Sequence, residues 1–288
     1  MAKELNFKQE LTSLFGKPVA ENPTQVMIEA AYDYHKLDWR YLTIEVDSAD
    51  LGDAVRGMRA MNFRGGNCTI PHKVAVIQYL DRLGESAALM GAVNCIVREG
   101  NDLVGQNTDG KGFLSSLRNL LDPTGKKIVL FGAGGAARAI GVELALSGVK
   151  HITVVNRSMD RGSDLVDLLN QKTDVTADFI KWDKTYNIPE GTDIVINATS
   201  IGLYPDINSV LALNLDSLTD KMIVADVIPN PPKTSLLQEA EKRGCMVIDG
   251  LEMLVAQGVI GFEFWTGFKP SANVMMMALK NVFDSIRE

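Results

Sequence analysis

The chain has only three cysteines in 288 residues, Cys68, Cys95 and Cys245. They are odd in number, far apart and without a CxxC pair or a histidine at ligand spacing, so neither a disulfide framework nor a metal site is expected. All three read as small, partly buried thiols. Basic residues are short as well: 29 Lys and Arg stand against 36 Asp and Glu, a net charge of -7, and no basic run could follow a phosphate backbone. Nucleic acid is not an expected partner. No apolar run approaches the ~20 residues of a membrane span, and the charged opening "MAKELNFKQE" lacks the apolar core of a signal peptide. The expectation is a cytoplasmic protein with no membrane partner.

What is present is the balance of an ordinary globular protein, 46% apolar and 23% charged residues. Its length accommodates two domains at ~100 to 200 residues each. From about residue 10 to 105, short apolar runs ("LTSLF", "WRYLTIEV", "GGNCTI", "AVNCIVRE") alternate with helical stretches ("TQVMIEAAYDYHK", "SADLGDAVRGMRAM", "HKVAVIQYLDRL"). That alternation predicts an open α/β sheet. After "NTDGKGFLSSLRNLL" and the turn "DPTGK" come near-continuous β-branched runs, "KIVLF", "HITVV", "DIVIN", "MIVADVI" and "CMVID". Runs of that kind predict parallel strands buried on both faces. The last stretch, "GVIGFEFWTGFKPSANVMMMALKNVFDSIR", is helical in spacing, with Met275 to Met277 read as core packing.

"KIVLFGAGGAARA" is a strand entering Gly132-Ala133-Gly134-Gly135, followed by a helix with Ala137 and Ala139. Gly132 allows the tight turn, Gly134 lets backbone approach a pyrophosphate, and Ala137 in the third-glycine position allows close helix-to-strand packing. The helix N-terminus then offers N–H donors and a positive dipole end. A nucleotide is favoured over a purely structural turn because a strand precedes the loop and a second strand follows one unit later. That second strand ends in Asn156, Arg157 and Ser158, with Arg161 one turn on, where an NAD site usually carries an acid. Two guanidinium groups suit a 2′-phosphate, so NADP is the favoured cofactor and NAD the other. The alternative is a solvated helix start in which Asp160 neutralises one arginine.

Outside this half, polar residues concentrate in "GGNCTIPHK", "GAVNCIV" and "GQNTDGKG". Asn67, Thr69, Lys73, Asn94 and Asp109 stand at strand ends or turns in apolar surroundings, as a small polyhydroxy ligand requires. A lysine beside a carboxylate holds a substrate hydroxyl and shuttles its proton. Taken singly, each is better read as a turn former or surface charge. His72 is a weaker candidate than Lys73 and reads as facing solvent, while His35 and His151 have no acidic or nucleophilic company in sequence and read as incidental.

At these residues the chain resembles the shikimate dehydrogenase family, including its quinate/shikimate branch, over nearly its whole length. "GGNCTIPHK", "GAVNCIV" and "NTDGKGF" resemble the family's Asn-Val-Thr-x-Pro-x-Lys, Gly-Ala-Val-Asn-Thr and Asn-Thr-Asp-Gly segments. "GAGGAARA", "NRSMDR", "INATSIGL" and "DGLEMLVAQG" resemble its nucleotide loop, arginine clamp, Asn-Ala-Thr-Ser loop and closing helix. The resemblance implies an α/β fold with an N-terminal substrate domain (1–110, with 256–288 returning to it as a C-terminal helix) and a Rossmann domain (111–255). It implies reversible oxidation of a ring hydroxyl to a ketone, with Lys73 and Asp109 as the catalytic pair and a monomer or homodimer acting on a small hydroxy acid. Asn67, Thr69, Asn94 and Gln257 match substrate-binding positions. Gly132 to Ala136, Asn156, Arg157, Ser158, Arg161, Asn197, Thr199 and Gly250 match cofactor positions.

Two departures fall in the substrate pocket. The corner "GKPVAENPTQVM", on its own an ordinary turn with an Asn or Thr helix cap, places Asn22 and Thr24 where the family has two serines that hold a carboxylate. Glu21 replaces a histidine there, and Pro229 stands where a tyrosine is usual. Donors survive at Asn22 and Thr24, but Glu21 would repel a nearby carboxylate. Three functions are therefore weighed: a shikimate or quinate dehydrogenase with a variant corner, a relative acting on another polyol or hydroxy acid, and a non-catalytic NADP-binding regulator.

Overall fold

The computed structural model describes residues 7–285. Part of the charged opening segment (residues 1–6) and residues 286–288 lie outside the described residues. Two units are formed, one from Met1–Asn107 with Gly258–Glu288, the other from Thr108–Gln257.

The first unit carries a six-stranded sheet in the order β2-β1-β3-β5-β6-β4. Its elements are β1 (Glu10–Gly16), α1 (Thr24–Tyr34), β2 (Trp39–Glu45), α2 (Leu51–Ala60), β3 (Gly65–Cys68), α3 (His72–Ala75), β4 (Arg82–Leu83), α4 (Glu85–Met90), β5 (Cys95–Glu99) and β6 (Asp102–Gln106). β1 runs parallel to β2 and β3, whereas β5 is antiparallel to both β3 and β6. One core packs Phe15, Leu51, Val55, Met58 and Phe63 beneath Ile96. Burial of each such side chain is worth ~1.5–3 kcal/mol, which orders the strand ends above it.

Two expectations change here. The helix read over "HKVAVIQYLDRL" is a single α turn followed by a 3-10 turn, Val76–Tyr79, and then β4. Clustered β-branched Val74, Val76 and Ile77 lower helix propensity, and pairing of Arg82 with Val104 of β6 captures the end of the segment. The C-terminal stretch is two helices, α9 (Gly250–Thr266) and α10 (Ala272–Ser285), parted at Gly267 with φ 83°. In the methionine run Met275 is fully buried while Met277 is half exposed, because residues two apart on a helix face different sides. α10 packs on α1, and Trp265 donates from Nε1 to Ile96 O at 3.0 Å.

The second unit contains α5 (Asp109–Arg118), β7 (Lys127–Phe131), α6 (Gly135–Leu146), β8 (His151–Asn156), α7 (Met159–Lys172), β9 (Thr176–Lys181), β10 (Ile194–Asn197), β11 (Ile223–Asp226), α8 (Ser235–Lys242) and β12 (Met246–Ile248). All its strand pairs are parallel, in the order β12-β11-β10-β7-β8-β9. This is the doubly wound dinucleotide order, whose two halves run outward from the β7/β10 junction. β10 and β11 are buried at every residue, which is why their sequences read as unbroken apolar runs. The edge strand β9 leaves no strand signature in the sequence, because "TADFIK" is mixed in polarity and its pairing to β8 is set only by the fold.

Candidate active site and cofactor site

In the second unit, β7 delivers the chain to Gly132, whose φ is 107° and whose Cβ, if present, would lie 2.8 Å from Ala198 O. Only glycine fits that corner. Gly134 caps α6 and Gly135 opens it, and a Cβ at either would meet nothing within 4 Å. Packing therefore does not explain these two glycines. They leave an open cradle before the first N–H groups of a 12-residue helix, which fits a dinucleotide pyrophosphate. Ala137 is buried against the sheet, while Ala133 and Ala136 are half-buried beside the loop.

Asn156 ends β8 and donates from Nδ2 to Ser158 O at 2.8 Å. Ser158 in turn caps α7 by accepting from Arg161 N. Arg157 and Arg161 are exposed, and neither forms an ion pair with Asp160 or any other acid among the described residues. Both guanidinium groups are therefore available to a phosphate.

Asn197 sits differently from a simple cofactor contact. Its side chain is fully buried: Nδ2 donates to Asp226 Oδ2 at 3.0 Å, and Oδ1 accepts from Thr199 N and Oγ1 at 3.0 and 2.7 Å. The residue shapes the loop that Thr199 presents. Gly250 opens α9, where a Cβ would lie 2.3 Å from the Ile228 carbonyl. Asp109 opens α5, and Gly110 beside it packs against Ala139 O of α6, where a Cβ would lie at 2.2 Å. The neighbouring Thr108 hydroxyl donates to Gln257 Oε1 at 3.2 Å, so Gln257 and the Asp109 turn lie together.

In the first unit, Asn67, Thr69 and Asn94 gather where β3 ends beside β1 and β5. Asn67 accepts from Tyr41 Oη at 2.7 Å and donates to Asn94 O at 3.1 Å. Thr69 N donates to Phe15 O, and Val93 N donates to the Lys73 carbonyl at 2.7 Å, which sets Lys73 next to Asn94. Burial pushes the Cys68 thiol up to about 12 against a smaller pull from Lys73, which leaves it inert as a nucleophile at neutral pH.

At the N-terminal corner, Asn22 Oδ1 accepts from Thr24 N at 3.0 Å. The expected Asn or Thr cap is not formed: Pro23 is the N-cap of α1 with no side-chain cap bond, and Asn22 instead closes a turn onto Thr24 N just ahead of the helix. Thr24 is buried and Glu21 exposed. A pocket of about 360 Å³ beside it is lined by Asn22, Gln25, Glu29 and Thr43 among others, none of them cationic.

Two histidine readings are corrected. His72 is not solvent-facing: it is fully buried, with Nε2 2.8 Å from Val46 O. His151 has acidic company after all, because β8–β9 pairing brings Asp178 Oδ1 to 2.5 Å from its Nε2. His35 accepts from Ser271 N and packs on Phe268. Tyr41 and Asp226 are the polar residues missed in the sequence. Asp226 had a signal, an acid inside an apolar strand run; Tyr41 had none, since a strand tyrosine is ordinarily just packing.

Residues 14–96 match the family model for the shikimate dehydrogenase substrate binding domain, residues 116–249 that for shikimate / quinate 5-dehydrogenase, and residues 250–280 that for the shikimate 5'-dehydrogenase C-terminal domain. A shikimate dehydrogenase (NADP(+)) of Desulforamulus reducens is 39% identical over 280 residues, 96% of each chain. The chain belongs to the shikimate dehydrogenase family. Among solved structures similar to this family member is the 5-ketofructose reductase of Gluconobacter sp. strain CHM43 (TM-score 0.94, 50% identity, 96% of this chain and 100% of that one). Another is the shikimate 5-dehydrogenase of Listeria monocytogenes in complex with shikimate and NAD (TM-score 0.90, 35% identity, 97% and 99% covered).

Proposed function

We propose that the protein is an NADP-dependent oxidoreductase of the shikimate dehydrogenase type that interconverts a secondary hydroxyl and a ketone on a small polyhydroxylated substrate. The observation that carries the reading is family membership across residues 14–280 together with Lys73 and Asp109, each in the first turn of a helix. A binding-only regulator has no use for that pair. NADP, when bound, supplies or accepts the hydride. The glycine cradle would hold its pyrophosphate, and Arg157, Ser158 and Arg161 its adenosine phosphate. Lys73 and Asp109 hold the reacting hydroxyl and take its proton as the carbon becomes a ketone. Asn67, Thr69, Asn94 and Gln257 grip the remaining hydroxyls.

The curated relatives act, by name, on shikimate, and a shikimate-type substrate is the first reading. A second reading, a polyhydroxy ketone without a carboxylate, is favoured by the corner. Asn22 has its amide oxygen committed to Thr24 N, Glu21 adds negative charge, and Pro229 cannot donate. The 50% identity to a 5-ketofructose reductase points the same way.

The test is turnover of shikimate, quinate and 5-ketofructose with NADP(H) and NAD(H), followed by nicotinamide absorbance. Efficient use of shikimate supports the first reading; reduction of 5-ketofructose with none of shikimate supports the second. In that case Asn22→Ser with Thr24→Ser raises shikimate activity. No turnover on any of them, with NADP still bound, would sink the enzymatic proposal.

A further inference from the structure

Asp226 ends β11 at 2% exposure and accepts three hydrogen bonds. Asn197 Nδ2 and Thr234 Oγ1 donate to Oδ2 at 3.0 and 2.8 Å, and Ile228 N donates to Oδ1 at 3.1 Å. Each donor controls a different piece of chain. Asn197 fixes Thr199, whose hydroxyl accepts from Ile201 N at 3.1 Å, and so sets the 198–201 loop that lies against Gly132. Ile228 is the second residue of the 227–233 loop, and Thr234 follows it as the cap of α8. Three residues beyond the first loop, Tyr204 N donates to Asn230 O of the second at 3.1 Å.

A carboxylate is an expensive way to fill this seat. Its neighbours Val224 and Ala225 are fully buried, and an apolar side chain would carry no desolvation cost. An acid that receives donors from two loops and a helix cap, all at the carboxyl ends of β10 and β11, makes sense where those loops must stay in one arrangement. We propose that Asp226 is a positioning residue of the cofactor site, holding the 198–201 and 227–234 loops together in the form that receives NADP. The proposal rests on the reading that these loops lie along the cofactor.

Burial pushes the Asp226 carboxyl up to about 6, against the three hydrogen bonds that favour its charge. Charges on adjoining elements engage one another: Asp193 pairs with Lys126, Glu239 with Lys242 and Arg243, and Glu241 with Lys233, while Asp249 accepts from Glu252 N. Protonation removes the charge that strengthens all three bonds, so the tie loosens as pH falls through that range. Asp226→Asn imposes the same loss at every pH, because an amide nitrogen opposes donors already aimed at it.

The experiment measures NADP dissociation constants by fluorescence titration for the wild type, Asp226→Asn, Thr234→Val and Leu236→Ala, from mildly acidic to neutral pH. Asp226→Asn is expected to weaken NADP about tenfold at neutral pH, as loss of one hydrogen bond to a charged group implies, with a less than twofold change in KM for the carbon substrate. Thr234→Val moves affinity in the same direction by less. Leu236→Ala, which loosens α8 without touching the network, leaves it unchanged. The cofactor's own phosphate also titrates at about 6, so the diagnostic is the ratio of variant to wild-type affinity, which shrinks toward one in acid. Equal weakening by Leu236→Ala would overturn the positioning role. Wild-type affinity in Asp226→Asn overturns this proposal alone, whereas failure of the wild type to bind NADP overturns the functional reading with it.

Discussion

Tyr41 donates a 2.7 Å hydrogen bond from its phenol to Asn67 Oδ1. The bond reaches over β1, since Tyr41 stands on β2 and Asn67 on β3. Burial holds the phenol well above its ordinary pKa, so it remains a donor at all working pH values. With Nδ2 engaged by Asn94 O, the amide of Asn67 has one orientation. Tyr41→Phe leaves a buried amide oxygen unpaired, a cost of ~1–3 kcal/mol. The expected result is a KM for the carbon substrate raised about tenfold by the freed amide, with a lower melting temperature. An unchanged KM would show that Asn67 does not need Tyr41 for its role.

Lys73→Ala and Asp109→Asn should each lower kcat by roughly 10²- to 10⁴-fold, the usual worth of positioned proton transfer. NADP affinity should hardly move, because neither residue belongs to the glycine loop or the arginine pair. The double variant should be little worse than the poorer single one. Steady-state kinetics beside NADP titration check this, and full activity in either single variant would remove it from the catalytic pair.

Arg157→Ala and Arg161→Ala probe the choice of nucleotide. Each lost charge-assisted bond to a 2′-phosphate is worth ~1.5–3 kcal/mol, so NADP should weaken by one to two orders of magnitude per substitution. NAD binding should be nearly unaffected. The wild-type preference for NADP should also shrink as ionic strength rises, since both arginines are exposed. Equal loss of NAD and NADP in the variants would argue that the arginines support α7 instead.

Asp226 also leaves a signature in stability. Its folded carboxyl is raised to about 6 from an ordinary value of 3.8, so between those values the folded state binds more protons than the unfolded one. Stability from this group is therefore present in acid and lost as pH rises through about 6. The shift corresponds to about 3 kcal/mol. Asp226→Asn lacks this dependence, and urea unfolding should show its stability relative to wild type improving by about that amount from pH ~4 to ~7. A gap constant with pH would mean that the carboxyl is not raised.

Much of the second unit is legible in the sequence. β7, β10 and β11 are buried on both faces, and such strands write their position as unbroken β-branched runs. The Gly132–Gly135 loop was legible because a positive φ and an open cradle have few solutions other than glycine. The segment after His72 was not, since a helical spacing of apolar residues could not foresee that β6 would claim Arg82 and Leu83. Nor was the surrounding of His151, whose acid Asp178 comes from a strand that pairs across 27 residues of chain.

The sequence by itself determined the α/β class, the parallel core, the glycine cradle and the polar residues that stand at strand ends, because periodicity, β-branching and turn chemistry act over a few neighbouring residues. Only the tertiary structure decided what those polar groups are committed to. Asn197 spends its amide on Asp226, 29 residues away, and Asn67 answers to Tyr41 across an intervening strand. Such partners are chosen by burial, since a polar atom withdrawn from water must take whatever donor or acceptor the packed fold brings beside it.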